Sequence, residues 1–188
     1  MTAERERRVE YDRAKKKRGP KKAPPALDAP KLEELALAYL NRFDCSVQKL
    51  RTYLRGLIRR RGGDAEVLGE HIESLLQRYQ GNGLLNDERF ATRLSERMQE
   101  RGRSRRAVIS KLRGRGIGAG VAEAAVPKSA QNELEAAKAL VKKRKLGAFR
   151  DPAERAEKRQ KDLGALARAG FDHETARRAL AFGSEDDF

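Results

Sequence analysis

Tryptophan is absent from this chain, cysteine occurs once and histidine twice. The lone Cys45 cannot close an intrachain disulfide, and with His71 and His173 it makes no metal-ligand spacing. Aromatic residues are only 5% of 188 positions, a thin supply for one large core, so several small helix–helix cores are expected. No apolar run approaches the roughly 20 residues needed to cross a bilayer. The first residues are charged and lack the apolar region of a secretory signal, so the cytoplasm is the expected location. Period-2 runs of β-branched or aromatic residues are missing as well, which leaves an all-α protein as the expectation.

What the chain has in quantity is positive charge. Lysine and arginine number 43 against 28 aspartates and glutamates, a formal net charge of +15. Such an excess points to a polyanionic partner, most often nucleic acid. The charge is uneven. Residues 84–128 carry eleven basic and five acidic groups, an excess of +6, while 32–83 carry +1 and 129–188 carry +2. Residues 1–31 also carry +6 and hold four of the six prolines with the run Lys15-Lys16-Lys17-Arg18. Without an apolar stripe to dock it, this segment reads as a disordered basic arm.

The stretch 84–117 organises the rest. Asn86 or Asp87 can cap a helix whose apolar stripe is Phe90, Ala91, Leu94 and Met98. Gly102 ends it, and Ser104 can cap a second helix with Val108, Ile109 and Leu112 on one face. Arg106 and Arg113, seven residues apart, share another face. Gly116 suits a left-handed stop, with Ile117 folding back on it.

The flanks repeat this plan. Ala36, Ala91 and Ala137 each precede a large apolar residue by three (Tyr39, Leu94, Leu140) and a basic one by six (Arg42, Arg97, Lys143). Leu112…Gly116-Ile117 and Leu166…Gly170-Phe171 end alike, whereas Gly62-Gly63 has no apolar residue after it. The expected architecture is three tandem three-helix repeats in an elongated, curved array. Its boundaries are 32–83, 84–128 and 129–182, with an acidic tail over 183–188. Asp64, Asp172 and the run Asp151-Pro152-Ala153-Glu154 mark further helix starts.

The residues Gly83-Leu84-Leu85-Asn86-Asp87-Glu88-Arg89-Phe90-Ala91, then Arg97, then Ile109…Leu112…Gly116-Ile117, resemble the signature of the RecX family, bacterial regulators of the RecA recombinase. Ala36…Tyr39-Leu40…Arg42…Ser46…Leu50…Leu54 is similar to that family's first unit, and the resemblance spans about 32–182. It implies a protein that binds RecA and RecA–DNA filaments, lodging in the helical groove. There it modulates, and in the main inhibits, ATP hydrolysis and strand exchange, in recombination, DNA repair and SOS control. No catalytic residue, cofactor or metal comes with the resemblance. Asp87, Phe90, Ala91, Leu112, Gly116 and Ile117 are assigned to structure. The local charge selects Arg97, Arg101, Arg103, Arg105, Arg106, Lys111, Arg113 and Arg115 as the partner- and DNA-facing groups, acting on backbone phosphate.

Other chemistries fit less well. Gly114, Gly116, Gly118 and Gly120 alternate, but a phosphate-binding loop needs a preceding strand, and these join two helices. Carboxylates sit among basic residues at helical spacing, as on solvated faces, so nothing argues for an enzyme or a small-molecule substrate. The rival reading is a helix-turn-helix DNA-binding protein acting without a recombinase, built on 105–126. Its second helix, 119–126, has no Arg, Lys, Asn or Gln to read base edges.

Overall fold

The computed structural model describes residues 25–126 and 128–183. Among them are nine α-helices and two short 3-10 turns, and no strand. In chain order these are α1 (Ala29–Leu40), α2 (Val47–Arg61), α3 (Ala65–Gly81), α4 (Asp87–Glu100), α5 (Arg105–Arg113), α6 (Ala119–Ala124), α7 (Ala130–Arg144), α8 (Arg155–Arg168) and α9 (His173–Ala181).

The helices group in threes around three separate cores. Leu32, Leu50, Leu54, Ile72, Leu75 and Leu76 centre the first, between α1, α2 and α3. Phe90, Ala91, Val108, Leu112, Ala122 and Val126 centre the second. Ala137, Val141, Leu166, Phe171 and Ala179 centre the third. Ala36, Ala91 and Ala137, which correspond in sequence, are each fully buried. A methyl group at that position brings neighbouring helices close, and the larger residue one turn later fills the space beside it.

Side-chain caps set most helix starts. Asp28, Ser46, Asp64, Asn86, Ser104, Ser129 and Asp172 each accept a hydrogen bond from a backbone N–H of the first turn that follows, satisfying donors that have no partner within the helix. The run from Asp151 opens with a 3-10 turn at Pro152–Glu154, so α8 proper begins only at Arg155.

The chain enters the first unit earlier than residue 32. Leu27 is buried against the first core and its N–H donates to the Gly62 carbonyl at 3.2 Å. Asp28 then caps a helix with proline in its first turn, where the ring's fixed φ suits a helix start. Leu85, likewise, packs in the first core rather than the second. The rest of the expected basic arm, residues 1–24, and the acidic tail from 184 lie outside the described residues.

Candidate functional site

The two joints between units are built to one plan. At the first, the Ser46 hydroxyl, which caps α2, donates to the Arg115 carbonyl at 2.6 Å. At the second, the Ser104 hydroxyl, which caps α5, donates to the Ala169 carbonyl at 2.7 Å. Each accepting carbonyl directly precedes a glycine of positive φ, Gly116 (81°) and Gly170 (95°). Ile117 and Phe171 then send their N–H back to the carbonyls of Leu112 and Leu166 and bury their side chains. A carboxylate from the next unit also meets the amide that follows each serine. Asp87 accepts from Val47 N–H at 2.9 Å, and Glu133 accepts from Arg105 N–H at 2.9 Å. Negative charge at a helix N-terminus is favourable. Burial pushes the Glu133 carboxyl above the usual carboxylate range, and the Arg105 N–H opposes that rise.

These joints leave clefts, and the central helix α5 reaches both. The first cleft, of about 780 Å³, is lined by Lys111, Arg113 and Arg115 from the end of α5 and its turn, and by Tyr39, Phe43, Asp44 and Lys49 from the first unit. Among the described residues no carboxylate bonds Lys49, Lys111, Arg113 or Arg115, while Asp44 stands 3.9 Å from Arg93. Cys45, on the same wall, is buried, and desolvation pushes its thiol up to about 11. At neutral pH it stays protonated and is no nucleophile. The second cleft holds Arg105, Arg106, Lys128 and Arg178 against Glu133, Asp172 and Glu174, so its charge is nearly balanced.

The eight residues selected from the sequence therefore divide. Lys111, Arg113 and Arg115 share the first cleft; Arg105 and Arg106 line the second. Arg105 is also engaged internally, donating from Nε to the Val126 carbonyl at 2.7 Å. Arg97, Arg101 and Arg103, at the end of α4 and beyond it, are exposed and line neither cleft. Of the residues assigned to structure, Phe90, Ala91, Leu112 and Ile117 are buried in one core, while Asp87 and Gly116 sit at the first joint.

A third groove, between α8 and α9, is lined by Arg155, Arg159, Arg177 and Arg178 over Ala148, Ala156 and Leu180, with no carboxylate among the described residues. Sequence reasoning passed over it because charge was summed by segment, and acidic residues elsewhere in 129–188 cancel these four. The signal was present as Arg155 and Arg159 one turn apart on α8. Lys49 and Phe43 escaped for a related reason, since they belong to the unit with the smallest net charge.

The base-reading alternative meets a short helix. α6 runs only Ala119–Ala124, six residues reading AGVAEA. Among the described residues no helix is long and apolar enough to cross a membrane, and no group of three or more His, Cys, Asp or Glu side chains is placed to hold a metal.

No protein-family model matches the chain. It is 37% identical over 173 residues to the "Regulatory protein RecX" of Myxococcus xanthus, covering 88% of this chain and 92% of that protein. It is 33% identical over 156 residues to the protein of the same name from Streptomyces lividans, covering 82% and 80%. The crystal structure of RecX from Lactobacillus salivarius superposes with a TM-score of 0.62 at 18% identity, covering 82% of this chain and 96% of that one. That structure has the same all-helical fold.

Proposed function

This chain belongs to the RecX family, and on that premise we propose that it binds RecA and RecA–DNA filaments in the cytoplasm and restrains the recombinase's ATP hydrolysis and strand exchange, in the control of recombination, DNA repair and the SOS response. The three units form a curved scaffold lodged in the filament groove, with the two inter-unit clefts turned toward protein and DNA backbone. The observation that supports this most is the position of α5, whose two ends carry arginines into two different clefts. A single helix thereby addresses two points on an extended, repeating partner. Phosphates and acidic side chains both satisfy such guanidinium groups through charge-assisted bonds. The protein acts by occupying a surface, without a catalytic group, cofactor or small-molecule substrate.

Reversing Arg106 and Arg113 together to glutamate tests the assignment. Filament binding, measured by anisotropy of the labelled chain at fixed salt, is expected to fall at least tenfold while circular dichroism is unchanged. Arg113 carries the larger share, because carboxylates already oppose Arg106 in its cleft. Equal binding by the double variant and the parent would remove these residues from the interface.

A further inference from the structure

Three of the protein's ten aromatic residues stand in a row, and two of them, Tyr39 and Phe43, line the first cleft. Tyr53 of α2 stacks on Tyr39 of α1, with ring centroids 4.2 Å apart and planes 24° apart. Tyr39 in turn meets Phe43, just past the end of α1, at 4.9 Å. The inner two rings are partly buried against the first core. Phe43 is 52% exposed, a large apolar side chain held in water by its aromatic neighbours. The same cleft is lined by Lys49, Lys111, Arg113 and Arg115, none paired with a carboxylate among the described residues, and Asp44 is the one acidic group among the described residues of the lining. The Arg115 guanidinium lies 5.8 Å from the Phe90 ring on the same wall.

An exposed ring supported from behind and surrounded by unpaired cations has a specific chemical complement. Every nucleobase presents a flat π face, and in single-stranded nucleic acid that face is available beside a charged backbone. In a duplex the bases are already stacked on each other, and Phe43 would meet only sugar and phosphate. We propose that Phe43, backed by Tyr39 and Tyr53, is a stacking platform for an unpaired base, with Lys49, Lys111, Arg113 and Arg115 receiving the adjoining phosphates. This deepens the functional reading above and rests on it in one respect, that the first cleft faces DNA. It gives the cleft a preference for single strands that charge alone does not supply.

The protein's lack of tryptophan makes the test direct. Phe43→Trp provides the chain's single tryptophan at the platform, to be excited selectively over tyrosine and titrated with an oligothymidylate, an oligouridylate and an abasic deoxyribose-phosphate strand of equal length. Quenching by both base-bearing strands, and not by the abasic strand at matched occupancy, is the expected result. Thymidylate quenching without uridylate quenching restricts the site to DNA and still supports it. Phe43→Ala is expected to lose between about fivefold and a hundredfold in affinity for the oligothymidylate, the range of one stacked base, and less than twofold for a duplex of the same length. Equal quenching by the abasic strand, or unchanged single-strand affinity in Phe43→Ala, would overturn the proposal. So would quenching by a RecA filament with none by free strands, which would make the platform a protein contact. Base-dependent quenching in a protein without effect on RecA ATP hydrolysis would leave the platform standing and remove the recombinase reading.

Discussion

Asp162 is almost wholly out of water at 1% exposure, and its setting explains why it is tolerated. Arg150 grips it with Nε at 2.8 Å and Nη2 at 2.7 Å, while the Gly147 N–H adds a third bond at 2.9 Å. A buried carboxylate is costly unless paired and fully hydrogen-bonded, and removing one partner leaves the other stranded. Arg150→Ala is therefore expected to lower the midpoint of urea denaturation clearly, by stranding the buried carboxylate. The Arg150 hydrogen bonds hold the Asp162 carboxyl below its ordinary range. The stabilisation is thus complete above that ordinary range and is lost as pH falls through the lower folded value. Asp162→Asn is expected to flatten this acid limb relative to the parent, in denaturation curves taken from pH 7 down to pH 3. The sequence showed Asp162 only as one more charge on a helix. Its burial depends on a turn twelve residues upstream that no periodicity reveals.

Among the elements, the joints separate what local pattern can and cannot tell. Ser104 was legible as a cap, and Ser46 caps by the same local geometry, because capping is a matter of the next three residues. Their second role was not, since each hydroxyl also bonds a carbonyl 69 or 65 residues away. Ser46→Ala and Ser104→Ala are each expected to cost about 2 kcal/mol, from a lost cap together with an unsatisfied carbonyl. Ser129→Ala, whose cap is only local, is expected to cost about 1 kcal/mol in the same thermal melts. The glycines sort in the same manner. A Cβ on Gly116 would lie 2.4 Å from the Gln48 Cβ, and one on Gly170 2.6 Å from the Ser104 Oγ, both at positive φ. Gly116→Ala and Gly170→Ala are expected to destabilise by about 2 kcal/mol or more. Gly120, inside α6 with open space around it, is expected to gain about 0.5–1 kcal/mol as alanine. Unchanged stability in Gly116→Ala and Gly170→Ala would contradict the close approach at the joints.

For the molecule as a whole, Ala36, Ala91 and Ala137 recur in the sequence and each is buried in a different one of three cores, and the matched endings both fall at glycines of positive φ, Gly116 and Gly170. The first unit's departure also has a structural reason. At Gly62, where a preceding unit's serine would bind, the entering chain takes its place: Leu27 N–H donates to the Gly62 carbonyl and Arg61 Nη2 to the Pro25 carbonyl. The candidate surface was legible only in part, because segment charge averages over faces and two arginines of one helix can open into different clefts. DNA binding through such clefts releases counterions, so affinity is expected to fall linearly in log–log form with salt, and the Arg106→Glu/Arg113→Glu variant to show a slope shallower by about 2.

If the scaffold acts on a recombinase filament through the ends of α5, RecA ATP hydrolysis on single-stranded DNA responds to this protein at sub-stoichiometric amounts. A lowered steady-state rate with the parent chain and near-recovery with Arg106→Glu/Arg113→Glu are expected. An unchanged rate at amounts that saturate the DNA alone, or equal inhibition by both proteins, would contradict this mode of action.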